Sequence, residues 1–134
     1  MKKFTYAVLG YLIPTFLLGA SWHFIFFSEL YDSFGIYSRK DPIIPLGFGS
    51  MLIQGIVLAY LFPFYNTKGN SIVRGIQFGL IMGVFLYSVS TIANAAKMEI
   101  HSVGIWFLVQ AVFHLIQFTV AGFFIGFAYK NQNG

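Results

Sequence analysis

Three polar side chains recur at helical spacing inside a long apolar run: Gln110, His114 and Gln117, in QAVFHLIQ. Spacings of four and three place them on one stripe of a helix. An imidazole between two carboxamides can bind a polar ligand, relay a proton, or tie helices together. Gln54 offers another amide in an earlier apolar run, with Ser50 one turn before it. Thr91 shares a polar stripe with Ser88 and Asn94, and His23 follows Trp22 in the first run. The candidate ligand-binding set is therefore Gln54, Gln110, His114, Gln117, Ser50, Thr91 and His23.

More specific chemistries fit less well. A bis-histidine haem needs two imidazoles at similar depth. At 1.5 Å per residue His23 is ~6 Å from the end of its run and His114 ~16 Å from the end of its own. A metal site from His23, His101, Glu99 and Glu29 would have no supporting ligand spacing such as HExxH. Cysteine is absent, which excludes thiolate zinc sites and thiol catalysis. No Walker loop, dinucleotide fingerprint or nucleophile elbow occurs. No Asp or Glu lies within an apolar run, so a carboxylate proton relay is not expected. These absences lead to the expectation of no catalytic residue, no metal and no cofactor. The net charge of +4 does not indicate nucleic acid, because the basic residues form no run.

Elements that could hold the polar stripe must themselves live in oil. The chain of 134 residues is 57% hydrophobic and 9% charged, against roughly 25% charged in a soluble domain. A soluble protein this short cannot hide so much apolar surface. Four runs, about 4–27, 43–65, 72–95 and 103–129, are long enough to cross ~30 Å of hydrocarbon as helices. They are continuous rather than alternating, which disfavours a barrel. The expectation is an all-α integral membrane four-helix bundle, one transmembrane domain over 1–134. The start MKKFTYAVLGYLIPTFLLGAS resembles a signal peptide. However, Leu18 is bulky where a cleavage site needs a small residue, and the apolar run continues to Phe27. It is read as a retained first helix.

Charge sets the orientation. Lys2, Lys3, Lys68, Arg74 and Lys130 fall on one side, with no acid. Arg39, Lys40 and Lys97 share the other with Glu29, Asp32, Asp41 and Glu99. The positive-inside rule then places both termini and the 65–71 connection in the cytoplasm.

Small residues recur every four positions: Gly75, Gly79 and Gly83 in the third run, Gly122 and Gly126 in the fourth, Gly55 and Ala59 in the second. Such faces let helices approach closely. They predict tight packing inside the bundle or, alternatively, a contact with a second copy or a larger membrane complex. Pro14 is expected to kink the first helix, Pro42 and Pro45 to begin the second, and Pro63 to end it. Unpaired polar groups in hydrocarbon cost several kcal/mol each, so the polar side chains should face one another. Their core would run from mid-membrane to a rim of Glu29, Asp32, Lys97, Glu99 and His101. It is either interhelical glue or a site for a small molecule or lipid.

LLGASWHFIFF, the Gly-rich third run ending in polar residues, and WFLVQAVFHLIQFTVAGFFIGF resemble a bacterial family of small four-helix integral membrane proteins, described as a domain of unknown function. The resemblance extends over nearly the whole chain. His114 matches its polar-aromatic-His element, while His23 stands where an aromatic such as Tyr is more usual. The resemblance implies the four-helix fold and no activity or site residues.

Overall fold

A computed structural model describes residues 1–65 and 68–130. Residues 66–67 of the expected cytoplasmic connection and 131–134 of the expected domain lie outside the described residues. The fold is all-α. Helix α1 (Lys2–Ser21) continues into a π-helical turn, Trp22–Phe26. After it come a short α2 (Ser28–Ser33), α3 (Ile44–Leu61) with a closing 3₁₀ turn, α4 (Ser71–Tyr87) with a π-helical turn over Ser88–Ile92, α5 (Ala93–Ala95) and α6 (Val103–Ala128).

Four stretches, Lys2–Phe26, Ile44–Phe64, Ser71–Ala95 and Val103–Ala128, are long and apolar enough to cross a bilayer. They agree with the four expected runs to within a few residues. Most of their apolar residues point away from the protein: Leu17, Ile53, Val84 and Leu108 are all more than 60% exposed. A continuous apolar exterior of this kind is paired with lipid rather than water. By length and composition the chain is a multi-pass integral membrane protein.

Pro14 lies inside α1, which runs through it without a break. The irregularity comes later, at the π turn. Pro45 sits in the first turn of α3, where a missing N–H costs nothing. The Asn70 side chain caps α4, accepting from the backbone N–H groups of Ile72 (2.9 Å) and Val73 (3.3 Å).

The tightest pairing is between α4 and α6. A Cβ added at Gly75 would lie 2.7 Å from Gly126 Cα, and one at Gly79 would lie 2.9 Å from Gly122 Cα. The two backbones are thus in direct contact, and the Ser71 hydroxyl donates across the pair to the Gly126 carbonyl at 2.6 Å. The glycine stripe considered for a partner is therefore consumed within the chain. Gly55 and Ala59 are used in the same way, Gly55 against Tyr11 of α1.

Backbone packing runs α3–α1–α6–α4. At the end holding Lys2 and Arg74, here the basic end, α3 also reaches the other two helices. Phe62 packs on Phe78 and Tyr129, and the Tyr129 hydroxyl donates to the Ala59 carbonyl at 2.7 Å. Arg74 lies 5.3 Å over the Phe62 ring and donates to the Tyr65 carbonyl. These groups close the bundle there. At the opposite, acidic end, a Cβ added at Gly47 or Gly49 of α3 would meet nothing within 4 Å. The four helices are sealed at one end and splayed at the other.

Candidate functional site

The splay encloses a cavity of about 1030 Å³. Its depth is lined by Gln54, Gln110, His114 and Gln117, its wall by Ser50, His23 and several phenylalanines, and its mouth by Asp32, Arg39 and Lys40. Among the described residues, every charged lining residue belongs to the 28–43 segment. The deep part is polar but uncharged. Six of the seven candidate residues line this one space.

Thr91 is the exception: it is fully buried and does not line the cavity. Its neighbour Ser90 does. Regular 3.6-residue spacing would align Ser88, Thr91 and Asn94. The π turn inserts extra backbone and rotates the stripe, leaving Ser88 exposed and bonded to the Phe85 carbonyl at 2.7 Å. Ser90 then reaches His114 Nε2 at 3.0 Å. The signal for this was the polar pair at 90–91; nothing in the residue types marks the turn.

His114 is satisfied on both sides. Its Nδ1 lies 2.8 Å from the Gln110 carbonyl. A carbonyl can only accept, so Nδ1 carries the proton of the neutral ring and Nε2 accepts from the Ser90 hydroxyl. His23 follows the same logic, with Nδ1 donating to the Gly19 carbonyl at 2.9 Å. Its Nε2 is then a lone pair, and its ring packs edge-on against Phe113 at 4.8 Å. His114 thus has both nitrogens engaged and His23 one, and no group of three metal-ligating side chains occurs among the described residues.

Gln54 Oε1 accepts from the Tyr11 hydroxyl at 2.6 Å, and its Nε2 donates to Ser50 Oγ at 3.2 Å. These bonds orient the amide and leave its second N–H, with the Ser50 O–H, as donors not used by these contacts. The Thr15 hydroxyl lies beside that of Tyr11 without the geometry of a hydrogen bond, buried and unpartnered.

A second hydrophobic core holds the acidic end. Tyr31, Phe34, Ile100 and Trp106 are buried together, with Trp22 and Phe27 against them. Trp22 Nε1 donates to the Tyr31 hydroxyl at 3.1 Å, and that hydroxyl donates to Gln110 Oε1. Burial pushes the Tyr31 phenol above the ordinary tyrosine range. Tyr37, stacked on Tyr31 and still 47% exposed, is pushed up to about 12 by its partial burial and by the negative charge of Asp32. Both phenols therefore stand neutral, Tyr31 within this core and Tyr37 on the cavity lining. The backbone N–H of His101 donates to the Phe34 carbonyl at 3.0 Å, joining the two connections at this end. Of the expected rim, Asp32 faces the cavity, whereas the His101 ring packs against Gly35.

Besides Ser90, sequence reasoning missed Tyr31 and Tyr11. Phe27, Leu30, Tyr31 and Phe34 have the three- and four-residue spacing of an apolar helix face, a signal for α2 within an apparent loop. Comparison of the chain with protein-family models, with curated proteins and with solved structures finds no match.

Proposed function

We propose that the protein binds a small molecule or lipid in the cavity beside His114, with both termini cytoplasmic and the acidic end outside. The observation that carries this reading is the cavity itself. One space of about 1030 Å³ joins a charged mouth to Gln54 and His114 at depth, and ligand sites commonly measure about 300–1,000 Å³. Glue alone needs no such space, since polar groups that only fix register close on one another. His114 belongs to the glue, because both its nitrogens are engaged within the chain. Gln54, Ser50 and His23 have capacity to spare. Binding is favoured over passage by the seal of Phe62, Phe78 and Tyr129 at the basic end. No reaction is assigned to the site. The accessory-subunit reading loses its main support, since the glycine faces are buried within the chain.

Native mass spectrometry of protein extracted in mild detergent tests the reading. A bound small molecule is expected, and it should be lost in Gly47→Phe. Gly47 lines the cavity and has open space at its Cβ, so the ring would obstruct the space without displacing a helix. A bare protein, or an adduct that survives Gly47→Phe, would sink the proposal.

A further inference from the structure

The chemistry of the cavity restricts what can occupy it. Charged lining groups stop at the mouth, at Asp32, Arg39 and Lys40. An ionic head at the depth of Gln54 would have no counter-charge, and an uncompensated charge there is heavily disfavoured. Polar capacity along this space is richer in donors than acceptors: the spare Gln54 N–H, the Ser50 O–H and the Gln110 amide N–H groups, against the Gln117 amide oxygen and the lone pair of His23. The nitrogen of His114 that could accept is already taken by Ser90. Two adjacent donors with no charge match a carbonyl oxygen.

The cavity also continues into the lipid-facing flank of α3. A second, smaller groove is lined by Pro45, Leu46, Gly49, Ser50, Ile53 and Gln54. It shares Leu46, Ser50 and Gln54 with the main cavity. Leu46 and Ile53 are 69% and 65% exposed, facing the hydrocarbon. The same amide is thus reachable from the cavity and from the bilayer side. A molecule whose head sits at Gln54 can leave an apolar tail along this flank without burying it in protein. Phe16, Phe48 and Phe113 supply the apolar wall around the head.

We infer that the occupant is an uncharged amphiphile whose carbonyl oxygen is held by Gln54 and Ser50, with its tail lying along α3. This rests on the cavity being a binding site. Two sources share the chemistry, a glyceride ester and a lipid-soluble quinone.

The test uses the full chain in lipid nanodiscs, with thermal unfolding followed as probe is added. The probes are dioctanoylglycerol, a decyl-substituted benzoquinone, and laurate as the anionic control. At least one neutral probe should raise the unfolding midpoint saturably, and laurate should not. A response to dioctanoylglycerol alone identifies the glyceride source, and a response to the quinone alone identifies the other. Ser50→Ala should weaken binding about tenfold, the worth of one well-placed hydrogen bond. Gln54→Leu should weaken it further, and Gly47→Phe should abolish it. Ser50 is exposed, so its alanine variant folds even if Gln54→Leu does not. The inference is overturned if no neutral probe binds, if laurate binds as tightly, or if Ser50→Ala leaves affinity unchanged. Binding that Gly47→Phe abolishes but Ser50→Ala does not move keeps the cavity and rejects the carbonyl. Binding that survives Gly47→Phe rejects both.

Discussion

The glycines between α4 and α6 and those that begin α3 share a residue type and differ in everything around them. At Gly75, Gly79, Gly122 and Gly126 the missing Cβ is replaced by the backbone of the facing helix. At Gly47 and Gly49 it is replaced by nothing. In a membrane, where no hydrophobic drive brings helices together, close backbone approach supplies dispersion contact that larger side chains would block. One set of glycines therefore builds the rigid part of the molecule. Of the other set, Gly47 keeps one wall of the cavity thin and Gly49 borders the smaller groove, and neither has a helix packed against its Cα.

The largest way to break this contrast is to add one methyl group to the rigid part. Gly79→Ala should cost about 3 kcal/mol, at the upper end of the usual range for overpacking. A backbone cannot swing aside as a side chain can. Gly122→Ala should cost a similar amount. The double variant should fall short of the sum: the Gly79 methyl meets Phe118 and Gly122, the Gly122 methyl meets Gly75 and Ile76, and one separation of α4 from α6 relieves both. Unfolding by chaotrope in detergent micelles measures this; losses below ~1 kcal/mol in both single variants would mean that α4 and α6 part easily.

Next in size is the polar tie at the acidic end. Tyr31→Phe removes the hydroxyl between Trp22 Nε1 and Gln110 Oε1, and Gln110 is only 6% exposed. A buried acceptor left without its donor costs about 1–2 kcal/mol. The same unfolding assay should show that loss, with a change in Trp emission as the Trp22 indole loses its acceptor. An unchanged midpoint would show that the short α2 is held by Phe34 and Trp106 packing alone.

These two regions were unequally legible from residue order. The spans and the glycine faces could be read because lipid demands long uninterrupted apolar runs and helix periodicity fixes which residues share a face. Gln110, His114 and Gln117 came out on one buried stripe for the same reason, α6 being regular from Val103 to Ala128. Thr91 did not join them in the cavity, because the π turn at 88–92 breaks the periodicity on which its placement depended. Tyr31 was hidden in a polar connection, where the apolar spacing of α2 is diluted by Ser28, Glu29 and Asp32. Whether these polar groups close on one another or line a space was left open by residue order. Periodicity says which face of a helix turns inward, not how far that face stands from its neighbour.

A smaller effect lies at the mouth. Tyr37 is held near 12 by burial and by Asp32, above its ordinary value near 10. The folded protein keeps this proton more tightly than the unfolded chain does, so Tyr37 contributes no pH dependence below about 10. Above that, stability should fall as pH rises through about 12, where the folded phenol ionises. The difference in ultraviolet titration between the natural chain and Tyr37→Phe should show a midpoint near 12. Asp32→Asn should move it down. A midpoint near 10 in the natural chain would place Tyr37 in free solvent, away from the cavity.

The smallest change is also the sharpest probe of the open end. Gly47→Ala adds a methyl where no atom lies within 4 Å. With no neighbour to displace, the remaining effect is the gain in helix preference, on the order of 0.5 kcal/mol of added stability. Gly49→Ala should behave alike, since its Cβ also meets open space. Both are read from the unfolding midpoint in nanodiscs without added probe. A loss of more than ~1 kcal/mol at Gly47 would mean that this face of α3 packs against another helix in the membrane, as overpacking requires. Gly47 would then behave as Gly79 does, and the cavity would be one state of a helix pair that also closes. A gain at Gly47 alongside a large loss at Gly79 is what a permanently open outer half requires.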